Sequence, residues 1–138
     1  MNGGRNRFFV GGPGLTFTER TEESGLAGNR WSYAAAAADL DADGDQDLYI
    51  ANDYGTEEVW RNDGTGRFEL WPDLGLDAES KSGMCVALGD ATNSGRLAAY
   101  VTNITEPGFL QQGNNLRDLR PGDQGLQTNR ANAISANR

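Results

Sequence analysis

Shifted against itself by 51 residues, the sequence falls into register with itself at points spread over most of its length. Phe8 and Phe9 meet Val59 and Trp60, Phe17 meets Phe68, Ala35 and Ala36 meet Val86 and Ala87, and Asp39 meets Asp90. Further on, Gly44 meets Gly95, Tyr49-Ile50 meets Tyr100-Val101, and Asn52 meets Asn103. Gly25-Leu26 matches Gly75-Leu76 at an offset of 50, one residue having been gained between, and Phe109-Leu110 opens a third copy. A chain of this kind is built from one unit used again, and every local expectation has to hold in both copies.

One period reads as four short strands, near Arg7–Val10, Leu15–Thr21, Trp31–Ala38 and Leu48–Asn52. Their equivalents fall near Glu58–Arg61, Arg67–Trp71, Met84–Leu88 and Ala99–Asn103. Gly11-Gly12-Pro13-Gly14 and Asn62-Asp63-Gly64-Thr65-Gly66 supply the turn chemistry between them. Ala34 to Ala38 favour helix by propensity alone. Their partners Cys85-Val86-Ala87-Leu88-Gly89 do not, so both segments are read as strand, the alanines packed closely on both faces where sheets converge.

Four-stranded antiparallel units repeating every 40 to 50 residues point to an all-β chain of β-propeller blades. About 2.7 periods fit in 138 residues, giving a partial propeller of two to three blades. Closure takes about four blades or more. The expectation is therefore a segment of a longer propeller, or a chain whose open edges are covered by other blades or protomers. The repeats span 6–116; the polar, aperiodic tail 117–138 reads as disordered or weakly docked.

Composition narrows the function. With 20 acidic and 12 basic residues the formal charge is −8, which disfavours nucleic acid or an anionic membrane surface as the main partner. No apolar run nears the ~18 residues of a membrane span, and Met1 to Arg5 has no hydrophobic signal core behind it, which leaves the true N-terminus open. The chain has no histidine, which removes Ser-His-Asp and Cys-His catalysis and most zinc sites. Its single cysteine, Cys85, forms no internal disulfide and is expected as a small core residue among Met84, Val86 and Ala87.

The chemistry gathers at Asp39-Leu-Asp-Ala-Asp-Gly-Asp-Gln-Asp47. Five carboxylates on alternate residues repel one another, and a loop that gathers them is stabilised by a cation among them. A hard cation taking several oxygens from a short flexible loop is Ca²⁺. Counting from Asp39, side-chain oxygens come from Asp39, Asp41 and Asp43 at positions one, three and five, and Gly44 at six permits the sharp turn. Asp45 at seven offers its carbonyl with its side chain outward, and Asp47 at nine completes the shell directly or through water. The match to an EF-hand loop stops there, because position twelve is Ile50 within a strand rather than a glutamate on a helix. The second copy keeps Asp90, Thr92, Ser94 and Gly95 but has Arg96 and Ala98 at positions seven and nine. It is the weaker site, expected to hold its shape by Asp and Ser side-chain to backbone hydrogen bonds.

Three segments, Asp39 to Asn52, Trp60-Arg-Asn-Asp-Gly-Thr-Gly-Arg-Phe68 and Gly83-Met-Cys-Val-Ala-Leu-Gly-Asp90, resemble FG-GAP/VCBS-type repeats, the calcium-binding blades also found in integrin α chains. The nearest flavour is the cartilage acidic protein/ASPIC-UnbV group of secreted propellers. The resemblance implies a seven-bladed propeller, calcium in the Asp-rich hairpins at Asp39, Asp41, Asp43, Asp45 and Asp47, and a secreted or periplasmic setting. It also implies adhesion or binding of a protein or glycan surface rather than catalysis. Two other readings stand beside it: a segment of a propeller-type carbohydrate-active enzyme, and an EF-hand or dockerin-like module, which requires a helix after the loop.

Overall fold

A computed structural model describes residues 3–71 and 82–103 and the backbone of 115–118. The element order is β1 (Phe9–Gly12), a 3-10 turn (Pro13–Leu15), β2 (Thr16–Glu19), α1 (Thr21–Ser24), β3 (Ser32–Ala38), β4 (Asp47–Asn52), β5 (Glu58–Asn62), β6 (Phe68–Leu70), β7 (Gly83–Gly89), β8 (Ala98–Asn103) and β9 (Asn115–Asp118). Every pairing is antiparallel between sequence neighbours, giving a two-stranded sheet β1-β2, a four-stranded sheet β3-β4-β5-β6 and a three-stranded sheet β7-β8-β9. The chain is all-β, with the up-and-down meander of propeller blades.

The 51-residue offset holds at the level of register. Ala35 pairs with Ile50 as Val86 pairs with Val101, and Ala38 with Asp47 as Gly89 with Ala98. Both hairpins carry a register shift at the same place, Tyr33 in β3 and Met84 in β7. The unit, however, begins at β3. The expected grouping took Arg7 to Asn52 as one blade, whereas β1 and β2 form a sheet of their own and the four-stranded sheet runs from β3 to β6. Hydrogen bonds fix the reason: β4 pairs with β5 across a short turn, while twelve residues that include the helical turn α1 separate β2 from β3.

Side chains at alternate positions build the core. Tyr49, Ala51 and Val59 of the four-stranded sheet and Ala99 and Val101 of the three-stranded sheet are buried in one cluster, with Ala34, Leu40, Trp71, Val86 and Leu88 packed against it. Each fully buried valine in such a cluster contributes about 1.5–3 kcal/mol. Polar groups tie down the β4–β5 turn: Asn52 donates to the Thr56 carbonyl at 2.7 Å, Arg30 donates to the Thr56 hydroxyl at 2.7 Å, and Arg30 pairs with the buried Glu58 at 2.8 Å.

Four local expectations change. The strand read as Leu15–Thr21 is shorter, because Leu15 closes the 3-10 turn and Thr21 opens α1, whose end is set by Gly25 at φ +80. Cys85 is exposed, since strand alternation puts it on the face opposite Val86. The alanine strand packs on one face only: Ala34 and Ala36 lie toward the core while Ala35 and Ala37 are exposed. Strand β9 runs to Asp118, two residues into the segment read as tail, and pairs with Ala98 to Val101. Gly75-Leu76, the third copy expected at Phe109-Leu110, and tail residues 119–138 lie outside the described residues.

Candidate metal centre

The Asp-rich segment is the connection between β3 and β4, so the first two strands of the four-stranded sheet fix both of its ends. Inside the loop the carboxylates cap the turn they sit on. Asp39 accepts the backbone N–H of Asp43 and of Gly44, each at 3.1 Å. Asp41 accepts the N–H of Asp43 at 3.3 Å, and Asp43 accepts that of Asp45 at 3.0 Å. Ala42 and Gly44 take positive φ, 64° and 100°, which curls the chain around these side chains.

Asp39, Asp41 and Asp43 each bring one carboxylate oxygen within 4.8 Å of the others, and among the described residues they form the group of three acidic side chains able to hold a metal ion. Oxygens lying about 2.3–2.6 Å from a shared Ca²⁺ are at most about 5 Å apart, so the spacing fits that ion. An all-oxygen, all-anionic donor set suits a hard cation and not zinc or copper. Burial pushes the Asp41 carboxyl above its ordinary value of 3.8, and the charges of Asp47 and Asp43 push the same way. Arg61 on β5 answers part of this charge, its Nε lying 3.5 Å from Asp41 Oδ2 while its guanidinium stacks 5.7 Å from the centre of the Trp71 ring.

The other two aspartates stand apart from that trio. Asp45 turns its carboxylate toward Gly64 in the β5–β6 turn, where a Cβ would come within 2.5 Å of it. Asp47 is 0% exposed; its Oδ2 accepts the Leu40 N–H at 2.8 Å and its Oδ1 the Asn62 N–H at 2.9 Å. Asp47 therefore clamps the loop to β5. Asn62 completes the clamp by donating its side-chain N–H to the Gln46 carbonyl at 3.2 Å. In the sequence Arg61 ends the strand read as Glu58–Arg61 and Asn62 opens the turn that follows it; their approach to the loop depends on β4–β5 register.

The second loop copies the backbone and drops the charge. Asn93 and Gly95 take the positive φ values of Ala42 and Gly44. Asp90 accepts N–H groups from Thr92 at 3.2 Å, Ser94 at 2.9 Å and Gly95 at 2.6 Å, and these bonds, that from Ser94 foremost, hold its carboxyl below the ordinary value. The Ser94 hydroxyl does not cap the backbone, as the sequence reading expected of it, but accepts the Thr92 hydroxyl at 3.1 Å. The first loop exits into β4, a strand, which sets aside the helix-requiring EF-hand or dockerin-like alternative.

Comparison with known families bears on this same stretch. Residues 39–101 carry an FG-GAP-like repeat. The matched segment begins on the first aspartate of the loop, just after β3, and ends in β8, so the FG-GAP-like repeat contains both Asp-headed loops and the β5–β6 turn between them. No curated protein matches the chain.

Proposed function

We propose that the chain is a calcium-binding, calcium-stabilised propeller repeat module that serves as a secreted or periplasmic interaction scaffold, of the kind the ASPIC-UnbV-like resemblance suggests. The observation that carries this reading is the convergence of Asp39, Asp41 and Asp43 in a loop at the head of an FG-GAP-like repeat. When bound, the ion neutralises that charge and fixes the β3–β4 hairpin against β5; the chain's own part is to hold the three carboxylates in place through Asp47 and Asn62. Among the described residues no helix is long and apolar enough to cross a membrane.

A non-enzymatic role is the reading favoured here over a carbohydrate-active one. The converging carboxylates lie within 4.8 Å, closer than the ~5–5.5 Å or ~6.5–9.5 Å that glycosidase pairs need, and they cap one turn rather than line a cleft.

Calorimetry with calcium on the unaltered chain and on Asp43→Ala tests the proposal. A dissociation constant of roughly 10⁻⁴ to 10⁻³ M is expected, weakened tenfold or more by the substitution. An unaltered chain that takes up no heat-detectable calcium, and melts identically in chelator, overturns it.

A further inference from the structure

The two large sheets pack through unlike faces. The four-stranded sheet offers Ala34, Tyr49, Ala51 and Val59, and the three-stranded sheet meets it with Val86, Leu88, Ala99 and Val101. The 51-residue offset turns each of these into its counterpart on the opposite side of the other sheet. Val86, Leu88, Ala99 and Val101 correspond to Ala35, Ala37, Leu48 and Ile50, on the far face of the four-stranded sheet. Ala34, Ala36, Tyr49 and Ala51 correspond to Cys85, Ala87, Tyr100 and Thr102, on the far face of the three-stranded sheet.

Each far face is open over part of its area: Ile50 on the first is buried, whereas the neighbouring Ala35 and Ala37 are not. Ala35 and Ala37 are exposed, and a groove of about 270 Å³ lies between Ala35, Leu48 and Ile50 on one wall and Asn6, Phe8 and Leu26 on the other. Cys85 and Ala87 are exposed, and Tyr100, whose counterpart Tyr49 is fully buried, is 43% exposed. Leu116 of β9 sits opposite Tyr100 in register, as Val59 sits opposite Tyr49. Among the described residues, one molecule thus carries both halves of the interface it already makes internally, on opposite sides and partly exposed.

We propose that these faces bind each other between copies of the chain, the three-stranded sheet of one molecule docking on the four-stranded sheet of the next and repeating the internal sheet-to-sheet packing. The contact joins two different surfaces, so each docked copy leaves one of each free and association proceeds head to tail. The sheet β1-β2 corresponds by the same offset to β5 and β6; Phe8, just before β1, stacks edge-on against Phe68 at 5.7 Å, while every residue of β1 and β2 is exposed, so the β3-β4 half of the four-stranded sheet is left to the incoming β7-β8 hairpin. The calcium loop is not part of either face, and the proposal stands whether or not that loop takes an ion.

Sedimentation velocity on the full chain, in physiological salt and from low micromolar to several hundred micromolar protein, tests it with two variants. Ala35→Arg blocks one face and Ala87→Arg the other, both at exposed positions. The unaltered chain is expected to grow beyond a dimer with concentration, and each variant alone to lose at least tenfold in association. An equimolar mixture of the two is expected to form a dimer and stop, because each supplies the face the other lacks; this rescue also shows that both variants are folded. A chain monomeric throughout, variants that associate as the parent does, or a mixture that stays monomeric would each overturn the proposal, the first of these meaning that something other than this chain covers the faces.

Discussion

Asp47→Ala separates the aspartate that ties the loop to β5 from the three whose carboxylates converge. The substitution removes both acceptors for the Leu40 and Asn62 N–H groups, bonds of 2.8 and 2.9 Å made to a carboxylate with no exposure. Hydrogen bonds to charged groups contribute about 1.5–3 kcal/mol each, and a donor left unpaired costs about 1–3 kcal/mol. Leu40 and Asn62 are themselves half-buried, so water recovers part of the loss, and about 3 kcal/mol in total is expected. Urea unfolding in chelator reads this without any contribution from calcium. With a slope of about 1–2 kcal/mol per molar for a chain of this size, the midpoint falls by about 1.5–3 M. Asp45→Ala, whose carboxylate rests against Gly64 outside the trio, is the control and shifts the midpoint by less than about 0.5 M. If Asp47→Ala and Asp45→Ala unfold together, Asp47 is not the clamp and the description of the loop is wrong.

Ala42, at φ +64 where the second loop has Asn93, is expected to gain about 0.5–1 kcal/mol in chelator on substitution by glycine; a loss would show that the left-handed conformation carries no strain. Arg61→Gln removes the cation 3.5 Å from Asp41 and should tighten calcium binding by about two- to fivefold, as read by calorimetry; weaker binding would make Arg61 a support rather than a competitor. In the metal-free protein, carboxyl NMR titration should find Asp41 titrating above 3.8 and Asp63 and Asp90 below it. Asp63 and Asp90, depressed when folded, stabilise the fold above that value and lose their contribution as pH falls through their folded pKa. Asp41 has the opposite sign, its ionised form weighing against the metal-free fold as pH rises through its raised pKa; the reverse order of titration would contradict the loop geometry.

Much of this was written in the chain. The offset that aligns Tyr49-Ile50 with Tyr100-Val101 located both inner hairpins, and the alternation of aspartates around Gly44 located the loop, because each is a local pattern with a fixed backbone consequence. What the sequence left open depends on partners distant along the chain. Where a blade begins cannot be read from a repeat, since a period has no marked start; only the β4–β5 pairing shows that the unit opens at β3. Cys85 has apolar neighbours on both sides, and which of them shares its face follows from the strand's phase against the next sheet. Asp47 is the same residue type as Asp41, yet the register that lays Asn62 beside it gives it a structural task, accepting the Leu40 and Asn62 N–H groups. The same dependence on register brought Arg61 to the loop.

The proposed function gives calcium to one loop of two, with the fold common to both. Amide NMR shifts during a calcium titration of the unaltered chain test this residue by residue. The N–H groups of Asp43, Gly44 and Asp45, which bond to the trio's carboxylates, are expected to move and saturate together. Those of Thr92, Ser94 and Gly95, held by Asp90 alone, are expected to stay in place. Movement of both sets with one affinity, or of neither, would contradict the account.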